Sequence, residues 1–411
     1  MTHATAEKAV LEEANAEKVS GSIDAPTPHA SEASIAAPEE TFGGGDASAS
    51  QQNLVEQVDP AISVEDESQG SSQQNNICAA VQKAPRAEGP RKLVAILVAQ
   101  SASELVVLPM AAAELKAAAS STILVTPTHS VANNEPISYS LNETYAQLDA
   151  IGLNWSHVTV DTSSVDLAYA MDKFNMAPEM NIDDIGVEAV VASARLALLW
   201  EGAASISTMQ ELDAETLILM ARANEVVSEV ALSIAVLCDT PTPVHFELAT
   251  HRYGFAFQDG AWQHPEIYSA AEAQLLPLSQ LRYAREGSSE ELALGGYPVQ
   301  YAKNFVPEPK VMAPGTLVQE AGWHLSLFGG EGVASMSVKE SLTPAGRAAI
   351  GAERLAAAVA EAMMSGHEVF YPSEYDSSAV KELSSMDVST LPVLVRENME
   401  QMAWTLDLSQ Q

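Results

Sequence analysis

The sequence predicts an α/β fold, a mixed twisted sheet flanked by helices. Three observations lead there. Leu93-Val94-Ala95-Ile96-Leu97-Val98 is a continuous apolar run of strand length, the pattern of a strand covered on both faces. A helix-spaced segment and a second β-branched run follow it, and strand, helix, strand in that order implies a parallel unit with a crossover. Beyond them helix-like and strand-like segments recur, and no repeat of solenoid period is visible.

The elements follow in order after Pro90. Ser103 is expected to cap a helix carrying Leu105, Leu108, Ala112 and Leu115, with Pro109 near its start. Thr122 to Thr126 reads as the second strand and Val158-Thr159-Val160 as the third. Glu188 to Trp200 forms a helix with Val191, Ala194, Leu198 and Leu199 on one side. Ser205 to Met209 reads as a short strand before the acidic cluster Glu211-Leu212-Asp213. Ala214 to Val227 then returns to helix, whose N-terminus those acids would favour. Pro243 to Phe257, rich in aromatic and β-branched residues, reads as strands with a bend near His251. Glu320 to Gly330 joins a strand to a glycine turn and the next helix. Neighbours on a strand face opposite ways, so one of Trp323 and His324 packs while the other projects. Gly329-Gly330 lets a backbone or ligand come close, an arrangement that suits a sugar-binding floor. Pro344 to Met364 is an alanine-rich helix stopped by Gly366.

The chain has 411 residues and a net charge of −35. Residues 1–90, rich in Ala, Ser, Glu and Gln and nearly free of aromatics, read as a disordered low-complexity acidic tail that cannot bury enough apolar surface to offset chain entropy. Residues 91–411 are the folded domain. Cys78 and Cys238 are the only cysteines, and Cys78 falls in the expected tail, so no disulfide is expected and a reducing compartment follows. No signal peptide, and no run near the ~18 apolar residues of a spanning helix, is visible, so a soluble intracellular protein is expected. The acidity excludes direct nucleic-acid binding. A nucleotide-sugar donor would need a divalent cation or a local arginine cluster to approach.

Collinear pieces from Leu93 to Leu406 carry a family resemblance. They are Glu104-Leu105 with Glu114-Leu115, Ile123-Leu124-Val125 with Thr128-His129-Ser130, Pro136 to Ser140, and His245 to Phe257 with Trp262. The string Gly322-Trp323-His324-Leu325-Ser326-Leu327-Phe328-Gly329-Gly330 and Leu391-Pro392 with Glu397-Asn398 complete the set. Together they resemble glycosyltransferase family 17, the β-1,4-mannosyl-glycoprotein N-acetylglucosaminyltransferases. The resemblance implies a GT-A-like nucleotide-sugar-binding fold. It implies inverting transfer of N-acetylglucosamine from UDP-GlcNAc to a mannose hydroxyl of an N-glycan-like acceptor, with a divalent cation, Mn or Mg, at the diphosphate. It places Glu211 and His324 in catalysis, and Glu104, Trp262, Arg282, Arg285, Trp323, Gly329 and Gly330 at the substrate. The animal members are Golgi membrane proteins, whose location does not carry over.

The chain departs from that pattern at the family's Ser-Asp-Val-Asp-Glu-Ile-Pro motif. Aligned on Ser207 to Asp213, the motif's two metal-binding aspartates become Thr208 and Gln210, leaving Glu211 in register and Asp213 as a displaced metal ligand. Core residues match while charged site residues are missing. The alternative to a transferase is therefore a catalytically inactive member that binds a glycan or a protein. Arg282 and Arg285 could grip donor phosphates or form salt bridges to the abundant carboxylates. His245, His251 and His264 with Glu247 could form a metal cluster or a set of satisfied histidines. No Gly-x-Gly-x-x-Gly, Walker or Gly-x-Ser-x-Gly loop is present, so hydride transfer, P-loop hydrolysis and esterase chemistry lack support.

Overall fold

The computed structural model describes residues 76–79, 81–137, 140–174, 184–204, 209, 212–283, 315–342, 352–365 and 388–406. Residues 1–75, Glu211 and Arg285 lie outside these, as do 205–208 of the expected short strand and 344–351 of the expected alanine-rich helix.

In chain order the elements are β1 (Leu93–Val98), α1 (Ala102–Leu115), β2 (Ser121–Pro127), α2 (Asn142–Ile151), β3 (Trp155–Val160), α3 (Leu167–Lys173) and α4 (Asp184–Ala204). Then come β4 (Leu217–Arg222), β5 (Glu225–Val227), α5 (Glu229–Leu237), β6 (Val244–Phe246), β7 (Leu248–Arg252), β8 (Gln258–Trp262) and β9 (Glu266–Ser269). They are followed by α6 (Ala270–Leu275), α7 (Leu278–Tyr283), β10 (Thr316–Val318), β11 (Gly322–Ser326), α8 (Gly330–Ser341), α9 (Ala352–Ser365), α10 (Val393–Glu397) and α11 (Ala403–Leu406).

A seven-stranded sheet has the order β10-β6-β9-β4-β1-β2-β3. Strands β1, β2, β3 and β4 are parallel, and β9 runs antiparallel to both β4 and β6. A second sheet of four strands has the order β5-β11-β7-β8. The expected α/β class with a mixed sheet and flanking helices is what forms.

The run from Leu93 to Val98 explains why. Its alternate residues Leu93, Ala95 and Leu97 pack with Leu105, Leu108 and Leu115 of α1 on one face. Val94, Ile96 and Val98 pack with Val191, Ala194, Leu199 and Trp200 of α4 on the other. Each of the leucine, isoleucine and valine side chains contributes about 1.5–3 kcal/mol by leaving water, which sets β1 at the centre of the core.

Three expectations are corrected. Ala214 to Val227 is not helix. Leu217 to Ala221 is a continuous apolar run of strand length that splits its side chains between the same two cores, a pattern periodicity cannot tell from a buried helix. The next helix, α5, begins after Ser228, whose side chain accepts the Ala231 N–H. The cap of α1 is Ser101 rather than Ser103, because Glu104 stands three residues after Ser101 and completes a capping box.

The third correction concerns the tail and the cysteines. The described residues of the expected tail, 76–79 and 81–90, already meet the core, with Ile77, Cys78 and Val81 packed in it. Cys78 is fully buried and forms a disulfide with Cys238, the C-cap of α5, across a sequence separation of 160. Arg86 and Arg91 donate their backbone N–H groups to Leu237 and Val236. The ground for expecting a reducing compartment is thereby removed. A single pair of distant cysteines leaves no spacing signature to read.

Candidate functional site

Strand order reverses between β1 and β4, since β2 and β3 extend the sheet to one side of β1 and β4 begins the other. In open α/β sheets the crevice at the carboxyl ends of strands at such a switch point is where ligands bind. Gln100, Ser101 and Glu104 reach this edge from β1 and α1, and Arg222 reaches it from the end of β4.

The protein answers its own charges there. Glu104 is buried and accepts from Arg222 Nε at 3.0 Å and Nη2 at 2.6 Å on one oxygen. Its other oxygen accepts the backbone N–H groups of Gln100 and, at 3.2 Å, Ser101. Glu340 of α8 takes the Ala102 N–H at 3.1 Å. Burial, with the Glu104 carboxylate close by, pushes the Glu340 carboxyl up to about 6. The N-terminus of α1, a natural anion site, is thus filled by two of the chain's own carboxylates. The Gln100 Nε2 is buried there without a hydrogen-bond partner.

Behind this edge a second layer of charge joins the two sheets. Glu225 accepts the Arg222 N–H at 2.7 Å, the Trp262 indole N–H at 2.8 Å and Arg282 Nη2 at 2.5 Å. Arg282 also reaches Glu266 at 2.9 Å and the Met220 carbonyl at 3.2 Å, with its guanidinium over the Trp200 ring. Burial alone would raise the Glu266 carboxyl, but the charges of His264 and Arg282 and the hydrogen bond with His264 hold it well below the usual range. His324 stacks on Trp262 at 4.5 Å and 14°, with its Nε2 3.2 Å from Asn224 Nδ2. Burial first, then the positive charges of Arg222, Arg252, Arg282 and His264, hold this imidazole well below its ordinary 6.5, so it is neutral at physiological pH.

Trp323 turns the other way. The register of β11 sets Trp323 beside Val226 and Ala249 and His324 beside Glu225 and Thr250, on alternate faces. Its indole N–H donates to the Thr390 carbonyl at 3.0 Å. It lines a cleft of about 740 Å³, together with Val230, Glu247, Gln258, Glu320 and Arg396. Gly322 makes the close strand pairing possible: at φ +150° a Cβ there would lie 2.1 Å from the Val226 carbonyl.

The structure therefore brings the buried Glu104 and Arg282 and the half-buried Trp262 and His324 into one network and sets Trp323 apart in a cleft. Of the two readings of Arg282, the ion pair is the one built, because its side chain is 1% exposed between two carboxylates. Gly329 and Gly330 form the left-handed turn into α8 and do not line the cleft. Asp213 accepts from the Thr216 hydroxyl at the amino end of β4, the edge opposite Glu104, so it neither starts a helix nor stands at the switch point. The histidines resolve as partners of Glu266 and of aromatic rings. Among the described residues no group of three or more His, Cys, Asp or Glu could hold a metal ion.

Sequence reasoning missed Arg222, Asn224, Glu225, Glu266 and Glu340. One signal was present: Arg222-Ala223-Asn224-Glu225 interrupts two apolar runs, where an unpaired charge would be costly. No family model and no curated protein matches this chain.

Proposed function

We propose that the chain is a glycan-binding protein on a family-17-like, GT-A-type frame, in which the place of the donor's metal ion is taken by an internal ion pair. The observation that carries this reading is the Trp323 cleft. An aromatic ring with its N–H tied to Thr390, set among carboxylate, amide and hydroxyl side chains, is the surface on which a sugar ring stacks.

The state of the metal motif supports it. Aligned on Ser207 to Asp213, the motif would lead to the amino edge of β4, away from any donor held at the carboxyl ends. Set instead on Ala221-Arg222-Ala223-Asn224-Glu225-Val226-Val227, it ends the central strand β4 and keeps its glutamate as Glu225. The two aspartates are then Arg222 and Asn224. Arg222 is paired with Glu104, and Asn224 faces His324. These residues do not fit a divalent cation, which needs several anionic oxygens.

A second reading is transfer itself, from UDP-GlcNAc to a mannose-containing acceptor with Mn or Mg. The buried Gln100 Nε2 and Asn224 Oδ1, both without partners near the switch point, favour it as hydrogen-bonding capacity left for a donor. Calorimetry separates the two. The expected result is binding of mannose-containing glycans without manganese, with no manganese-dependent binding of UDP-GlcNAc. Trp323→Ala should remove glycan binding from a protein that remains folded. Manganese-dependent donor binding by the unmodified chain would establish the transferase reading instead.

A further inference from the structure

The charged side chains that line the Trp323 cleft are mostly carboxylates, Glu114, Glu229, Glu247 and Glu320, set among apolar residues. Glu229, Glu247 and Glu320 line it, and among the described residues none of the three takes part in an ion pair. Its one arginine, Arg396, lies in the field of Glu114, which also accepts the backbone N–H groups of Glu229 and Val393 at 2.7 Å each. His251, the other basic residue lining it, is buried edge-on against Phe255. Gln258 presents a buried Oε1 that accepts no hydrogen bond. Glu320 holds its exposed side chain from a left-handed backbone, φ +52°, a conformation disfavoured for a residue with a Cβ and retained where the surroundings demand it.

The floor itself offers no backbone. β11 is paired on one side with β5 and on the other with β7, so an extended peptide cannot add to it as a strand. Recognition must come from side chains: one aromatic face and several carboxylates. A uronic acid or a phosphate would be repelled, and a neutral or N-acetylated sugar offers the carboxylates hydroxyl and amide donors but no counter-charge. A sugar bearing protonated amines answers both, with its ring on Trp323 and its ammonium groups on the aromatic face and on Glu247 and Glu320.

We infer that the cleft takes an amine-bearing saccharide of the glucosamine type in preference to its N-acetylated or neutral counterpart. The inference rests on the glycan-binding reading and names its ligand class. It is tested by calorimetry on the full chain with a glucosamine oligomer, the N-acetylated oligomer of equal length, a mannose oligomer and tetralysine, at a pH where the amines are protonated. The glucosamine oligomer should bind about tenfold tighter than the acetylated one, the scale of one desolvated cation–π contact with an ion pair. Added salt should shrink that margin. Glu320→Gln, at an exposed position, and Glu247→Gln should each reduce the preference, while Trp323→Ala weakens both oligomers. Equal or tighter binding of the acetylated or mannose oligomer overturns the inference and leaves glycan binding standing. Tetralysine binding as tightly as the glucosamine oligomer, or a preference that survives both glutamine changes together, shows attraction to the chain's overall charge and also overturns it. If no saccharide binds, the glycan-binding reading falls with it.

Discussion

At the scale of single residues, adjacent positions do different work because a strand alternates. His324 stacks on Trp262 at the margin of the charge network while Trp323 faces a cleft, and neither position could be exchanged without a register slip. Glu340 offers a direct test of the switch-point edge. Its folded-state value of about 6 lies above its ordinary 4.5, so the folded protein binds that proton more tightly than the unfolded chain does. The resulting contribution is fully present below pH 4.5 and is lost as pH rises through about 6. His324 acts oppositely: its value is depressed, so acidification below its ordinary 6.5 favours the unfolded chain. The difference between wild type and Glu340→Gln isolates the first effect. Because Glu340 is only partly buried, the variant should gain no more than about 1 kcal/mol over wild type at neutral pH, a gain that vanishes below about pH 5. Denaturant unfolding across that range measures it, and a pH-independent difference would mean that Glu340 stays ionised throughout.

At the scale of elements, the segment from residue 76 to β1 acts as a strap across the end of α5. Its hold is the Cys78–Cys238 disulfide, reinforced by Arg91 Nη2 on the Ala235 carbonyl at 2.5 Å and the Thr240 hydroxyl at 2.7 Å. A cross-link over so long a loop restricts the unfolded chain, a restriction that typically stabilises by about 2–4 kcal/mol. Cys78→Ser with Cys238→Ser should lower the denaturation midpoint accordingly, and protease should then cut between residues 79 and 91. An unchanged midpoint would show that the hydrogen bonds and burial of the strap suffice without the covalent link.

At the scale of the whole molecule, a net charge of −35 opposes compaction through self-repulsion. Added salt should therefore raise the melting temperature from low ionic strength up to the physiological range, as the Debye length falls to ~8 Å. A fall over the same range would mean that ion pairs such as Arg222–Glu104, with the Arg222 side chain 18% exposed, outweigh the repulsion. No helix among the described residues is long and apolar enough to cross a membrane.

Much of the fold was legible without coordinates. Apolar runs of strand length at Leu93 to Val98 and Thr122 to Thr126, the amphipathic helix around Val191 to Leu199, and the strand-turn-helix from Gly322 to Gly330 all form, because local pattern and burial agree there. Two things escaped. Leu217 to Ala221 reads equally well as helix or strand, and only its place between β1 and β9 decides. The paired charges are the other: Arg222 finds Glu104 across 118 residues, and Arg282 finds Glu225 across 57. The sequence by itself determined the α/β class, the opposed faces of Trp323 and His324 and the acidity of the surface, since these depend on neighbours a few positions apart. Which charges were buried as partners, which aromatic ring met a cleft, and that Cys78 joined Cys238 were decided only in the tertiary structure, because a charge or a thiol carries no information about its partner until the chain brings the two together.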